Sequence, residues 1–270
     1  MVLITAPRTV QTPAKLRING ATKIYESKSG PVHALEDFSL DVREGELICI
    51  LGPSGCGKTT LLWALSGLHA LTRGEVALDG RPVTGPRPNE LGMIFQDANL
   101  LPWRNLRQNI HFPFEIKRRP VPRQRITALL HETGLTGFDG SYPRELSGGM
   151  QQRASIVRAL AQEPSVLLMD EPFGALDAFT RDEMNLLLLR LWSESAQTIV
   201  FVTHNISEAI FLGDRVVVMT PRPGRLARIY DIDLPRPRTI DMMFEPSFIE
   251  LIQDIKRTVE AGGRHSVEVE

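Results

Sequence analysis

Gly52-Pro53-Ser54-Gly55-Cys56-Gly57-Lys58-Thr59-Thr60 fits the pattern G-x-x-x-x-G-K-[ST] at every position. The apolar run 47–51 before it reads as a buried strand. After it, Leu61, Leu62, Leu65 and Leu68 recur at helical spacing. Strand, glycine-rich loop and helix form the context this motif requires. Gly52, Gly55 and Gly57 lack a Cβ, so the backbone can curl and bring its N–H groups close to an anion. The helix that follows adds partial positive charge at the same point. Lys58 can reach β- and γ-phosphates as a point charge, and the Thr59 hydroxyl can ligate Mg²⁺. The loop alone does not say what the hydrolysis serves.

At 270 residues, with 42% hydrophobic and 23% charged residues, the chain can bury a substantial core as a globular α/β protein. A net charge of −1 gives no global case for nucleic-acid binding. Cys49 and Cys56 both fall in the strand-loop unit and form neither a disulfide framework nor a zinc spacing, so a reducing cytosol is expected. The first twelve residues are broken by Pro7 and Arg8 and lack the uninterrupted apolar run of a signal peptide. The most apolar helical stretch, 186–192, is interrupted by Arg190 and is too short to span a bilayer. If the protein serves a membrane, a partner must supply the span.

Residues 16–25 and 32–42 read as strands ahead of the βαβ core, suggesting a small antiparallel sheet beside the phosphate loop. Tyr25 reads equally as an ordinary half-buried strand aromatic. Residues 74–81 form a hairpin element closed by Asp79-Gly80, and 82–88 a Pro-rich connection. The short strand 92–95 ends on Gln96, an amide that could ligate a metal or orient water; the alternative is a solvated loop glutamine. From residue 97 the character becomes helical, with helices expected over 106–117 and 122–132. The basic residues Lys117, Arg118, Arg119, Arg123 and Arg125 there read as a solvated face. Ser147-Gly148-Gly149 opens another helix with Ser147 as N-cap, a second anion-ready helix start.

The continuous apolar run 166–169 is expected of a central parallel strand, and it ends in Asp170-Glu171. Asp170 is placed to hold Mg²⁺ and Glu171 to polarise the attacking water. An amphipathic helix over 179–194 follows, then a buried strand 198–202 that ends at His204. That position is the edge where open α/β sheets bind ligands. Strands over 214–220 and 225–231 follow, then a helix over about 246–259.

With these residues in hand, the chain resembles the ATPase subunit of an ABC transporter over about residues 15–230. The ordered set is the phosphate loop, Gln96, Leu146-Ser147-Gly148-Gly149-Met150, Asp170-Glu171-Pro172, Ala175-Leu176-Asp177 and His204. The resemblance implies a P-loop core with a mainly parallel sheet, a small antiparallel β subdomain and a helical insert. It divides the chain into a flexible segment 1–14, an ATPase domain 15–235 with its insert at about 97–160, and an extension 236–270 with one helix.

It implies ATP and Mg²⁺ as ligands. In a head-to-tail homodimer, Ser147, Gly148 and Gly149 would close over ATP held by the other copy. Tyr25 would stack on adenine, Gln96 would sense the γ-phosphate and metal, Asp170 would bind Mg²⁺ and Glu171 would be the general base. Asp177 would lie at the dimer seam and His204 would contact the γ-phosphate. Met150 departs from the glutamine common in the signature, but it lies beyond the glycines that face phosphate.

A narrower likeness covers Leu100–Asn105, Pro172–Arg181 and Pro223–Arg225, which look like the ATPases of bacterial nitrate, taurine and alkanesulfonate importers. It implies a peripheral protein on the cytoplasmic face of the inner membrane. The expected partners are permease subunits docking near Leu101, Pro102 and Trp103, and indirectly an extracytoplasmic solute-binding protein. Nucleic acid is not expected. The competing readings are a soluble ABC-type ATPase acting on nucleic acid or the ribosome, and a simple P-loop kinase. The first usually carries fused ATPase domains or a long coiled-coil insertion. The second would leave the Ser147 helix without a role.

Overall fold

A computed structural model describes residues 14–174, 176–195 and 197–264. In chain order the strands and helices are β1 (Ala14–Tyr25), β2 (Val32–Arg43), β3 (Leu47–Leu51), α1 (Lys58–Leu65), β4 (Arg73–Leu78), β5 (Arg81–Pro82) and β6 (Leu91–Ile94). Then come α2 (Leu106–Lys117), α3 (Arg123–Glu132), α4 (Gly148–Leu160), β7 (Val166–Asp170), α5 (Ala178–Ser195) and β8 (Thr198–Thr203). The chain continues through α6 (Ile206–Leu212), β9 (Arg215–Met219), β10 (Leu226–Asp231) and α7 (Pro246–Arg264).

Two sheets result. A four-stranded antiparallel sheet has the order β2-β1-β4-β5, and a six-stranded sheet the order β10-β9-β3-β8-β7-β6. In the larger sheet β9, β3, β8, β7 and β6 run parallel, and β10 pairs antiparallel at one edge. Every residue of β3, β7, β8 and β9 is buried, as continuous apolar strands covered on both faces must be. Alternate side chains serve opposite cores. Ile48, Ile50, Val200 and Val202 pack with α1 and the antiparallel sheet. Leu47, Cys49, Leu51, Ile199 and Phe201 pack with the helices of the other face.

Local chemistry sets the element ends. Asp79 and Gly80 both take positive φ, 49° and 71°, so the β4–β5 connection twists as a tight hairpin demands. Asn105 and Gln108 make a capping box on α2, with the Gln108 N–H on Asn105 at 2.9 Å and the Asn105 N–H on Gln108 at 3.0 Å. The helical run after the phosphate loop is shorter than its leucine spacing suggests. It stops at Leu65, and Leu68 is 47% exposed, because Gly67 in the left-handed region (φ 75°) turns the chain first. The helix α6 had no counterpart among the expected elements.

A buried ion pair joins the two sheets. Arg215 on β9 grips Glu46 twice, Nε to Oε1 at 2.5 Å and Nη2 to Oε2 at 3.0 Å, and also donates to the Asp41 carbonyl of β2 at 2.6 Å. Glu46 Oε2 accepts the Arg43 N–H at 2.7 Å as well. At the far end of α6, Arg238 donates from one nitrogen to the carbonyls of Ile210, Phe211 and Gly213, at 2.9, 2.9 and 2.8 Å. Arg236 reaches the Leu212 carbonyl at 2.9 Å and Asp214 at 2.6 Å. These arginines satisfy the carbonyls that a helix end leaves open.

Removing one member of a buried, doubly bonded pair strands the other charge. Glu46→Ala is therefore expected to cost about 3–5 kcal/mol of unfolding free energy, and Glu46→Leu with Arg215→Met less than that. Urea denaturation of the three proteins checks the order.

Candidate active site

Register brings the reactive residues to one edge. Leu51 pairs with Thr203 and Asp170 with Val202, so the strand ends that lead into Gly52, His204 and Glu171 lie side by side. On the next strand Ile94 pairs with Met169, which places Gln96 just beyond the same edge. This is the carboxyl edge of a parallel sheet, where such folds bind ligands.

The phosphate loop is shaped by close backbone packing. Gly57 has φ 103°, and a Cβ there would lie 2.5 Å from the Ala34 carbonyl oxygen of β2. From the other side, a Cβ on Gly224 would sit 2.0 Å from the Cys56 carbonyl oxygen. Gly224 is tied to β2 through Gly224 N–H to Ala34 O at 3.0 Å and Glu36 N–H to Gly224 O at 3.1 Å. The turn 221–224 thus braces the phosphate loop from outside it. Between these braces the N–H groups of Gly55, Gly57, Lys58 and Thr59 find no backbone acceptor among the described residues. Pro53 and Thr60 are partly covered, while Ser54 and Gly55 are exposed at the loop tip. Cys56 is buried, and burial pushes its thiol up against the opposing pull of Lys58.

Lys58 is buried, with Nζ donating to the carbonyls of Gly52 at 2.9 Å and Pro53 at 3.1 Å. Its charge lies 3.6 Å from Glu171 Oε1. Glu171 Oε2 receives His204 Nδ1 at 2.8 Å. A carboxylate can only accept, so Nδ1 carries the proton and donates. Glu171 has φ 44°, an uncommon conformation for a side chain of this kind. Its N–H on the Val202 carbonyl at 2.9 Å and its own carbonyl on the Gly174 N–H at 3.0 Å hold it there. Strain of this sort aims a side chain away from the strand's own alternation.

Asp170 is 4% exposed and takes a hydrogen bond from the Thr59 hydroxyl at 3.3 Å. Burial raises its carboxyl above the usual range, and Thr59 only partly offsets this. Hydroxyl and carboxylate converge as a hard oxygen pair.

The remaining expected residues are placed as follows. Gln96 is exposed, and its amide makes no hydrogen bond among the described residues. Tyr25 is half-buried; its hydroxyl meets His69 Nδ1 at 3.0 Å, and His69 packs on Trp63 of α1 at 4.6 Å between centroids. Asp177 is exposed and caps α5, taking the Thr180 N–H at 3.0 Å and the Thr180 hydroxyl at 2.7 Å, which together hold its carboxyl below the usual range. Ser147 caps α4 through the Met150 N–H at 3.2 Å and is exposed, as is Gly148. Among the described residues no hydrogen bond or ion pair joins Ser147, Gly148 or Gly149 to the phosphate loop of the same chain.

A model of the ABC transporter family matches residues 35–174. The taurine import ATP-binding protein TauB of Roseobacter denitrificans is 48% identical over 218 residues, covering 80% of this chain and 81% of that protein. The aliphatic sulfonates import ATP-binding protein SsuB of Bacillus cereus is 40% identical over 246 residues, 91% of this chain and 96% of that one. Among solved structures, the dimeric post-hydrolysis state of the ATP-binding cassette MJ0796 bound to ADP and Pi superposes with a TM-score of 0.74 at 32% identity, covering 82% of this chain and all of that one. The fold and the phosphate-loop edge define a P-loop ATPase of the cassette type. This chain belongs to the ATP-binding, ATP-hydrolysing subunits of the ABC transporter family.

The raised Asp170 carboxyl carries a sign that can be tested. Its ionised form opposes folding above the folded-state pKa, and the opposition fades as pH falls through that value. Asp170→Asn should therefore raise the melting temperature of the protein without metal by roughly 2–4 °C while abolishing ATP turnover. Calorimetry beside a phosphate-release assay reads both.

Proposed function

We propose that this chain is the motor subunit of an importer for a small sulfonate-type anion, working as a homodimer beneath a membrane permease. The observation that carries the motor reading is the Glu171 carboxylate, held at a strained φ between Lys58 and His204 beside the Thr59–Asp170 pair. The cargo class rests on the relatives, whose names specify taurine and aliphatic sulfonates.

In this reading the N–H groups of Gly55, Gly57, Lys58 and Thr59 and the Lys58 ammonium bind the β- and γ-phosphates of ATP. Tyr25 meets adenine on the side of α1. Thr59 and Asp170, with Gln96, would hold Mg²⁺, an ion that takes one or two protein oxygens and completes its shell with phosphates and water. The absence of any cluster of three or more His, Cys, Asp or Glu side chains poised for a metal, among the described residues, suits an ion held chiefly by its substrate. When bound, it neutralises charge on the transferring phosphoryl group.

Glu171 accepts a proton from the attacking water. His204, donating from Nδ1 to Glu171, keeps that carboxylate oriented and presents its other ring nitrogen to the γ-phosphate side. The exposed Ser147 and Gly148, with the half-buried Gly149, supply the lid to the neighbouring copy, with Asp177 at the seam between copies. The division into an ATPase domain 15–235, with its insert near 97–160, and an extension 236–270 belongs to the same reading.

No helix among the described residues is long and apolar enough to cross a membrane. In this reading the permease supplies the span, and this subunit docks on its cytoplasmic side. The docking patch is built, not loose. Asn109 is fully buried; its side chain accepts the Leu101 N–H at 2.7 Å and donates to the carbonyls of Leu101, Arg104 and Asn105. That clamp displays Trp103, 71% exposed, beside Leu101 and Pro102. The extracytoplasmic binding protein would act through the permease.

Purified Glu171→Gln should bind ATP and dimerise with turnover reduced about 10²–10⁴-fold. Hydrolysis at the wild-type rate, or ribosome co-purification in place of a membrane partner, would overturn the reading. Trp103→Ala should keep the basal ATPase rate within twofold yet lose transport in proteoliposomes containing the permease and its binding protein.

A further inference from the structure

The proposed chemistry leaves one buried carboxylate near the site without a task. Glu208, on α6, is 5% exposed. Its Oε2 takes a short hydrogen bond from the Thr203 hydroxyl, while Oε1 is buried and has no hydrogen-bond partner among the described residues. The Thr203 hydroxyl also accepts the Asn205 N–H at 3.0 Å, and Asn205 Oδ1 accepts the Glu208 N–H at 3.1 Å. Three hydrogen bonds thus close a ring through Thr203, Glu208 and Asn205, and His204 is the residue between Thr203 and Asn205 in the chain.

The imidazole itself is 58% exposed, and its one hydrogen bond among the described residues is to Glu171. A ring held so loosely at its tip depends on its backbone for aim. Leaving a carboxylate oxygen buried and unpaired is costly, and burial raises the Glu208 carboxyl accordingly. Arg181 faces Glu208 and lowers that cost in part, as do Thr203 and His204, while Glu171 adds to it. Arg181 is committed elsewhere, to the carbonyls of Phe173 at 3.4 Å and Leu176 at 2.8 Å, on the loop that leads to Asp177.

We propose that Glu208 is a positioning residue for ATP hydrolysis: with Thr203 and Asn205 it fixes the backbone on both sides of His204 and so holds the imidazole on Glu171. The proposal rests on the reading of Glu171 and His204 as the hydrolytic pair. Thr203→Val removes only the hydroxyl that links the ring, and Glu208→Ala removes the acceptor. Each is expected to lower kcat about ten- to a hundredfold, the scale on which small misplacements act. The KM for ATP should stay within twofold. Glu208→Gln, whose amide oxygen can still accept from Thr203, should recover kcat to within about threefold of wild type.

The deciding measurement is coupling. In a His204→Ala background, Glu208→Ala should cause no further fall in residual turnover, because the group it aims is gone. If His204→Ala is impaired and Glu208→Ala still multiplies the loss in full, the positioning role is overturned while the hydrolytic pair stands. If His204→Ala turns over ATP at the wild-type rate, the pair itself falls. Should Glu208→Ala fail to fold, Thr203→Val in the same two backgrounds reads the same link, and full activity in that variant overturns the proposal.

Discussion

Parallel pairing of β3 with β8 and of β8 with β7 places Leu51 opposite Thr203 and Asp170 opposite Val202. The phosphate loop, Asp170, Glu171 and His204 hang from the ends of those three strands. A slip of one residue would turn each buried run onto its other face, exchanging the cores above and below the sheet. Both faces are packed, by Ile48, Ile50 and Val200 on one side and Leu47, Cys49 and Phe201 on the other, so no alternative register is tolerable. The convergence of lysine, two acids and a histidine is thus a by-product of burying apolar side chains.

The antiparallel sheet contributes more than a wall. Its strand β2 touches the phosphate loop through Ala34 and Gly57, anchors Gly224 against Cys56, and meets β9 where Arg215 donates to the Asp41 carbonyl. The loop's curled shape is then a property of two sheets packed together. Free N–H groups converging on one point repel one another, and bracing from both sides stabilises that arrangement.

Much of this was legible in the residues. The run 47–51 coincides with β3, and 106–117 with α2, because a fully buried strand and a capped helix leave patterns dense enough to read locally. The phosphate loop, Asp170, Glu171 and His204 stood out because each follows an apolar run directly. Leu68 misled because leucine spacing continues past the turn made by Gly67. The helix α6 stayed hidden: it is seven residues long, with Ala209, Ile210, Phe211 and Leu212 buried in succession, so it has no polar face to betray a period. Glu208, Arg181 and Gly224 could not be singled out for a different reason. Their partners lie on other elements, and only three-dimensional packing gives a lone acid, a helix arginine or a turn glycine its meaning.

The arginines at 236 and 238 carry a consequence for how the molecule is made. Synthesis runs from the N-terminus, so the cradle for phosphate leaves the ribosome early. The helix behind His204 has its C-terminal carbonyls satisfied by Arg236 and Arg238, residues that emerge after every strand of both sheets. A nascent chain that has not yet reached them has every strand but leaves the carbonyls of Ile210, Phe211, Leu212 and Gly213 without these donors. The carbonyl end of the helix behind the hydrolytic histidine is therefore closed only after both sheets have been made, by two side chains that belong to neither.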